Sequence, residues 1–152
     1  MTEPLRLSFE VGCPAPHAFE VWTARIDLWW PADHTATGEP GLRVVLEPRV
    51  GGRIFQRDAD GVEIDWGEIT AFEPPRRLAY SWHLRADRAD ATDVEIRFMP
   101  VGDGRTRVDI EHRGWERLGA RGPVWRERNH QGWSTLLPHF VKAVTGTDAA
   151  HR

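Results

Sequence analysis

The chain of 152 residues holds one cysteine, Cys13, which excludes an internal disulfide and any metal site built from several thiolates. Lysine is almost absent: of 20 basic residues only Lys142 is not arginine, a pattern read as coding bias rather than as an anion-binding device. No stretch approaches the roughly 20 apolar residues of a membrane span, and the N-terminus MTEPLRLSFEVG has no signal-peptide core. A cytoplasmic chain with no membrane partner is expected. The net charge of −3, with acids and arginines interspersed, gives no single-sign stripe for nucleic acid. Gly-x-Ser-x-Gly, phosphate-loop and dinucleotide patterns are all missing.

Eight tryptophans stand against these shortages. Large aromatics fill cores and also line apolar pockets. Their placement follows from a simple patterning. Leu5, Leu7, Phe9 and Val11 alternate with polar residues, as in a half-buried strand. Pro14 and Pro16 end it. From Pro16 to Trp30 the apolar spacing predicts one or two short helices, stopped by Pro31. Residues 32–41 read as a loop. Strands follow over 42–47, 53–57, 63–72, 77–84, 93–99 and 105–113, divided by turn residues, including a separator over 85–92. Short turns between successive strands make an antiparallel meander. Val50-Gly51-Gly52 reads as a turn or bulge that lets the sheet curl. Last comes a helix opened by Gly122-Pro123, with an apolar stripe at Trp125, Asn129, Trp133, Leu136/Leu137, Phe140 and Val144. Pro138 lies inside it and is expected to bend it, leaving space beneath. A single domain spans 1–152, with a frayed tail over about 146–152.

Register can be read from two hairpins. Closing one over Gly102-Asp103-Gly104 pairs Phe98 with Val108, Ile96 with Ile110 and Val94 with His112, and sets Arg97 against Asp109 outside. His112 then lies on the apolar face. Closing the other over Pro74-Pro75 pairs Ala71, Ile69 and Gly67 with Leu78, Tyr80 and Trp82, the glycine leaving room for the indole. By this parity Trp66, His83, Glu68 and Glu95 point outward, toward solvent.

The ordered set Pro16-x-x-Ala-Phe19-x-x-Trp22, Trp29-Trp30-Pro31, Pro48-Arg-Val-Gly-Gly-Arg53, Trp66-Gly-Glu-Ile69, Glu73-Pro-Pro-Arg-Arg-Leu78, Ser81-Trp82, Glu111-His-Arg-Gly-Trp115 and Gly132-Trp133 with Leu136-Leu137 resembles the START-like (SRPBCC) superfamily. It is most similar to the bacterial branch related to the C-terminal domain of the activator of Hsp90 ATPase. The resemblance implies an α+β helix-grip fold. A curved antiparallel sheet of about seven strands would wrap around the long C-terminal helix, with two short helices after the first strand. It also implies a space between sheet and helix that often holds an apolar ligand.

The expected function is binding of a small apolar or aromatic ligand, without catalysis and without a cofactor. The expected lining is Trp30, Ile69, Tyr80, Trp82, Ile96, His112, Trp115, Trp133 and Leu137. The tryptophans can equally plug the space. One alternative is a cyclase- or hydratase-type enzyme in which His112 moves a proton, with Tyr80 as the second polar group. Against this, His112 can be a satisfied core histidine. Another alternative is a chaperone-binding module, though no exposed docking surface is evident. Asp33 and His34, with His17, are too few and too adjacent for zinc, and Asp58, Asp60 and Glu63 lack the calcium-loop pattern. No metal is expected, and either a monomer or a dimer is compatible with the sheet edges.

Overall fold

The computed structural model describes residues 3–84 and 88–150. Strand β1 (Leu5–Val11) is followed by helices α1 (Ala15–Trp22) and α2 (Ile26–Trp29). The meander is β2 (Arg43–Leu46), β3 (Arg53–Arg57), β4 (Glu63–Glu73), β5 (Arg77–Trp82), β6 (Thr92–Gly102) and β7 (Arg105–Arg113). Helix α3 (Gly122–Ala150) closes the fold after a tight 3-10 segment, Trp115–Arg121, which kinks at Gly119 (φ 59°). The seven strands form one antiparallel sheet in the order β1-β7-β6-β5-β4-β3-β2. This is the helix-grip arrangement. Of the expected 85–92 separator, 85–87 lie outside the described residues, as do His151 and Arg152 of the expected frayed tail. The helix itself runs on to Ala150.

The β6–β7 hairpin has the register that the alternation demands. Phe98 faces Val108, Ile96 faces Ile110, Val94 faces His112 and Arg97 faces Asp109. All but the last pair sit on the buried side, where α1 and α3 cover them. Phe19 of α1 packs edge-on against Phe72 and Phe98, and Phe140 of α3 meets Trp22 and Trp29.

Strand β4 departs from simple alternation twice. Ile69 pairs with Tyr80 as read, but Ala71 pairs with Ala79 and Phe72 with Leu78, so Thr70 is an extra residue. On its other side Ile54 pairs with Gly67 and Phe55 with Asp65, leaving Trp66 extra. A bulge reverses the faces that follow it. Trp66 is therefore fully buried rather than outward. Its Nε1 donates to the buried Gln56 amide at 3.1 Å. The role of Gly67 also differs. A Cβ there would lie 1.9 Å from the Ser81 carbonyl oxygen, so backbone approach requires the glycine rather than the Trp82 indole. Gly67→Ala is expected to cost about 1–3 kcal/mol in urea unfolding, the range of an overpacked site. An unchanged midpoint would contradict this reading.

Glu95 is also not solvated surface. It is nearly buried on the outer face of the sheet beneath Arg77, Arg97 and Arg113, at 2.5, 2.9 and 3.5 Å. Burial works to raise its pKa. The Arg77 hydrogen bond and the three positive charges more than offset this and hold it below the usual carboxylate range.

The α3 assignment is continuous across Pro138, whose ring sits on the exposed side of the helix. Ser134, whose carbonyl loses its helical donor to Pro138, is exposed as well. The stripe on the other side splits in two. Leu136, Phe140 and Val144 complete the core, while Trp125, Asn129 and Trp133 approach a cavity. The cavity thus lies against the turns of α3 that precede Pro138.

Candidate functional site

The cavity, about 480 Å³, opens between the first half of α3, the turn Ala32–His34 and the end of β5. Four indoles wall it: Trp30 after α2, Trp82 ending β5, and Trp125 and Trp133 one above the other on α3. Leu84 and Leu136 add apolar surface. Gly132 contributes bare helix backbone, and a Cβ built there meets nothing within 4 Å. The polar border consists of Asp33, His34, Arg128 and Asn129.

The turn at the mouth is irregular yet tightly held. Trp30 Nε1 donates to the His34 carbonyl at 2.9 Å. Thr35, 1% exposed, donates to the Ala32 carbonyl and accepts from Gly38 N–H. Buried Gln56 accepts from Ala36 N–H at 2.7 Å and donates to Thr37 Oγ1 at 3.2 Å. This loop spends buried polar groups on its own shape, which fixes where Asp33 and His34 stand.

His34 Nδ1 lies 2.9 Å from Asp33 Oδ1 and its Nε2 lies 2.8 Å from Thr135 Oγ1 on α3. The hydrogen bond with His34 holds the Asp33 carboxyl below its ordinary pKa. Arg128 stacks over the Trp125 ring at 5.4 Å, and Asn129 Nδ2 donates to the Trp125 carbonyl. Among the described residues no group of three or more histidine, cysteine or acidic side chains is arranged to hold a metal. His17 is engaged elsewhere, against the Val144 carbonyl at 3.2 Å.

His112 lies behind the cavity wall, fully buried. Trp133 Nε1 donates to its Nδ1 at 3.1 Å, which assigns the proton to Nε2. Nε2–H then donates to Thr92 Oγ1 at 2.6 Å, and that hydroxyl donates to the Trp82 carbonyl at 3.3 Å. The Trp115 ring lies 4.3 Å from the imidazole, and its Nε1 donates to the His112 carbonyl. Burial pushes the His112 pKa down to about 3. With both nitrogens committed, His112 ties together two cavity walls, Trp133 and the end of β5, and does not itself line the cavity.

Of the nine residues the sequence nominates, Trp30, Trp82 and Trp133 line this cavity. Trp115 borders a recess of about 20 Å³ beside it. Ile69, Tyr80 and Ile96 are buried in the core, where burial raises the Tyr80 phenol above its ordinary pKa. Leu137 points to a groove between α3 and β1 on the far side of the helix. Sequence reasoning missed Asp33, His34, Leu84, Arg128 and Gly132 as cavity residues. Only the α3 pair Trp125 and Asn129 carried a signal, being spaced by four along the stripe from Trp133.

The sequence profile of the activator of Hsp90 ATPase homolog 1-like protein family matches residues 13–145. Among solved structures, the self-sacrificing resistance protein CalC from Micromonospora echinospora is 28% identical, with 95% of each chain covered and a TM-score of 0.71. The anthrahydroquino-γ-pyrone synthase Txn09, solved as a complex, is 37% identical, with 80% of this chain and 82% of that chain covered and a TM-score of 0.57. An Hsp90 activator from Plasmodium falciparum shares the fold at 20% identity, with 94% and 96% covered and a TM-score of 0.65. No curated protein matches significantly. No described helix is long and apolar enough to cross a membrane.

Proposed function

We propose, from the premise that the chain belongs to the activator of Hsp90 ATPase homolog 1-like family, that it binds a small, flat, largely apolar molecule beneath the first half of α3. One observation carries this reading: four indoles surround a single void of about 480 Å³, inside the 300–1,000 Å³ range typical of ligand sites. Indole faces attract ring systems, and the few polar groups at the mouth would orient a ligand bearing one or two oxygens. The similarity to Txn09, named for a fused aromatic product, supports the same class of ligand. A cyclase-type enzyme is the second reading. It draws on that same synthase, although both His112 and His34 have their two ring nitrogens hydrogen-bonded within the protein.

The test is a titration with 1,8-dihydroxyanthraquinone, read by tryptophan fluorescence. Saturable quenching is expected for the wild type. Trp82→Ala is expected to weaken binding about tenfold, roughly 1.4 kcal/mol, by removing one stacking wall. Gly132→Leu is expected to abolish binding by filling the void. Its stability should hold, since leucine suits a helix better than glycine. Absence of saturation in the wild type, or undiminished binding in Gly132→Leu, would overturn the proposal.

A further inference from the structure

We infer that the free edge of β1 pairs antiparallel with the same edge of a second copy of this chain, Ser8 against Ser8, so that one sheet runs through a two-fold dimer. The inference is independent of ligand binding, because this edge lies on the side of α3 away from the indole-walled cavity.

Three observations lead there. First, the two edges of the sheet are finished differently. β2 has four residues, and Asp27 covers its edge, accepting from Val44 N–H and from Arg43 Nε, each at 2.7 Å. β1 has seven residues, runs beside β7 without a bulge and contains no proline or lysine. Among the described residues, β7 is the only backbone partner of Leu5–Val11. Sheets that stay alone blunt such edges with short strands, bulges, proline or charges turned inward. β1 has none of these, and its two charges are of opposite sign.

Second, the edge lies in an apolar groove. Leu7 and Phe9 from the inner face of β1 meet Leu137 and Val141 of α3 there, while Ser8 and Glu10 from the outer face border the same groove. Both faces of one strand reach it, so its floor is the strand edge itself. Leu7, Phe9 and Leu137 are only half-buried, and Val141 is 38% exposed. A second β1 laid along this edge would cover them with its own Leu7 and Phe9.

Third, β1 is complementary to its own reverse. With Ser8 on the axis, Arg6 faces Glu10 twice, Leu7 faces Phe9 twice and Leu5 faces Val11 twice. A two-fold interface requires this reciprocity. The register is also singular. A slip by one residue sets apolar positions against polar ones. An axis on Leu7 or Phe9 leaves a charge facing Ser8, and an axis on Arg6 or Glu10 opposes like charges. Within each chain Arg6 holds Glu111 at 3.2 Å and Glu10 holds Arg105. The crossed pairs therefore complete a row of alternating sign across the seam, Glu111, Arg6, Glu10, Arg105.

The test is sedimentation velocity of the full chain over a dilution series. The wild type is expected to associate reversibly into a dimer. Arg6→Glu and Glu10→Arg each set like charges across the seam at both symmetry-related points, and each is expected to raise the dissociation constant about tenfold or more. An equimolar mixture of the two variants brings opposite charges together at both points. It is expected to form mixed dimers within a few-fold of wild-type affinity. Damage within one chain, at Glu111 or Arg105, cannot be repaired by mixing. Three results overturn the inference: a wild type that stays monomeric at every concentration, which leaves the edge to a strand of another protein; single variants that associate as the wild type does; or a mixture no tighter than its parts.

Discussion

Trp22→Ala is expected to lower the unfolding free energy by about 3–5 kcal/mol, as large aromatic truncations in closed cores do. Trp22 has no exposed surface and stands where the elements converge. Its ring contacts Phe140 at 4.8 Å, Trp29 at 5.1 Å, Trp133 at 6.2 Å and Phe98 at 6.3 Å. Alanine would leave a void bordered by α1, α2, α3 and β6 at once, so no single element can relax into it. Against a typical total of 5–15 kcal/mol, such a loss approaches unfolding. Trp22→Phe provides the contrast. Trp22 Nε1 is buried and makes no hydrogen bond of ordinary geometry, although it lies close enough to the Tyr80 phenol to oppose the rise in that group's pKa. Phenylalanine removes that donor together with some volume, so its cost should fall well below that of alanine. Urea unfolding of both variants measures this, and equal losses would show that the indole N–H has a partner after all.

The second large effect is loss of stability in acid, beginning near pH 6.5. His112 is held neutral by burial, with its pKa pushed down to about 3, against about 6.5 in an unfolded chain. Between those values the unfolded chain binds the proton and the folded one does not. The contribution is therefore complete above pH 6.5 and drains away as pH falls toward 3, at roughly 1.4 kcal/mol per pH unit, for a total on the order of 5 kcal/mol. The paired carboxylates Glu47, Glu63 and Glu95, whose pKa values are lowered, act in the same direction but only below about 4.5. Unfolding midpoints between pH 7 and 5 thus isolate the histidine. A flat profile there, or one unaffected by His112→Gln, would contradict the assignment.

The fold was legible where each residue's neighbours in sequence decide its environment. Alternation over residues 94–98 and 108–112 placed His112 inward and in register. It failed at Trp66 and Thr70, because a bulge leaves no mark in hydrophobic period. The mouth of the cavity was illegible for a different reason. The segment 32–41 reads as an ordinary polar loop, and its shape comes from Gln56, some 20 residues further on. The partner of His34 Nε2 is Thr135, 101 residues away. Likewise His112 looked like a reactive group until Trp133 and Thr92 were seen to use both of its nitrogens.

Six of the eight indoles form an unbroken relay, from Trp133 through Trp22, Trp29 and Trp30 to Trp66 and Trp82, each link 5.1 to 6.2 Å between centroids. At such spacings excitation hops between rings faster than it is emitted. Light absorbed at Trp22, deep in the core, is therefore released from whichever ring has the lowest excited state. A guest touching only Trp30, Trp82 or Trp133 then darkens the whole array. The interior is arranged as an optical antenna, in which a guest seated at the mouth would dim rings that it never touches.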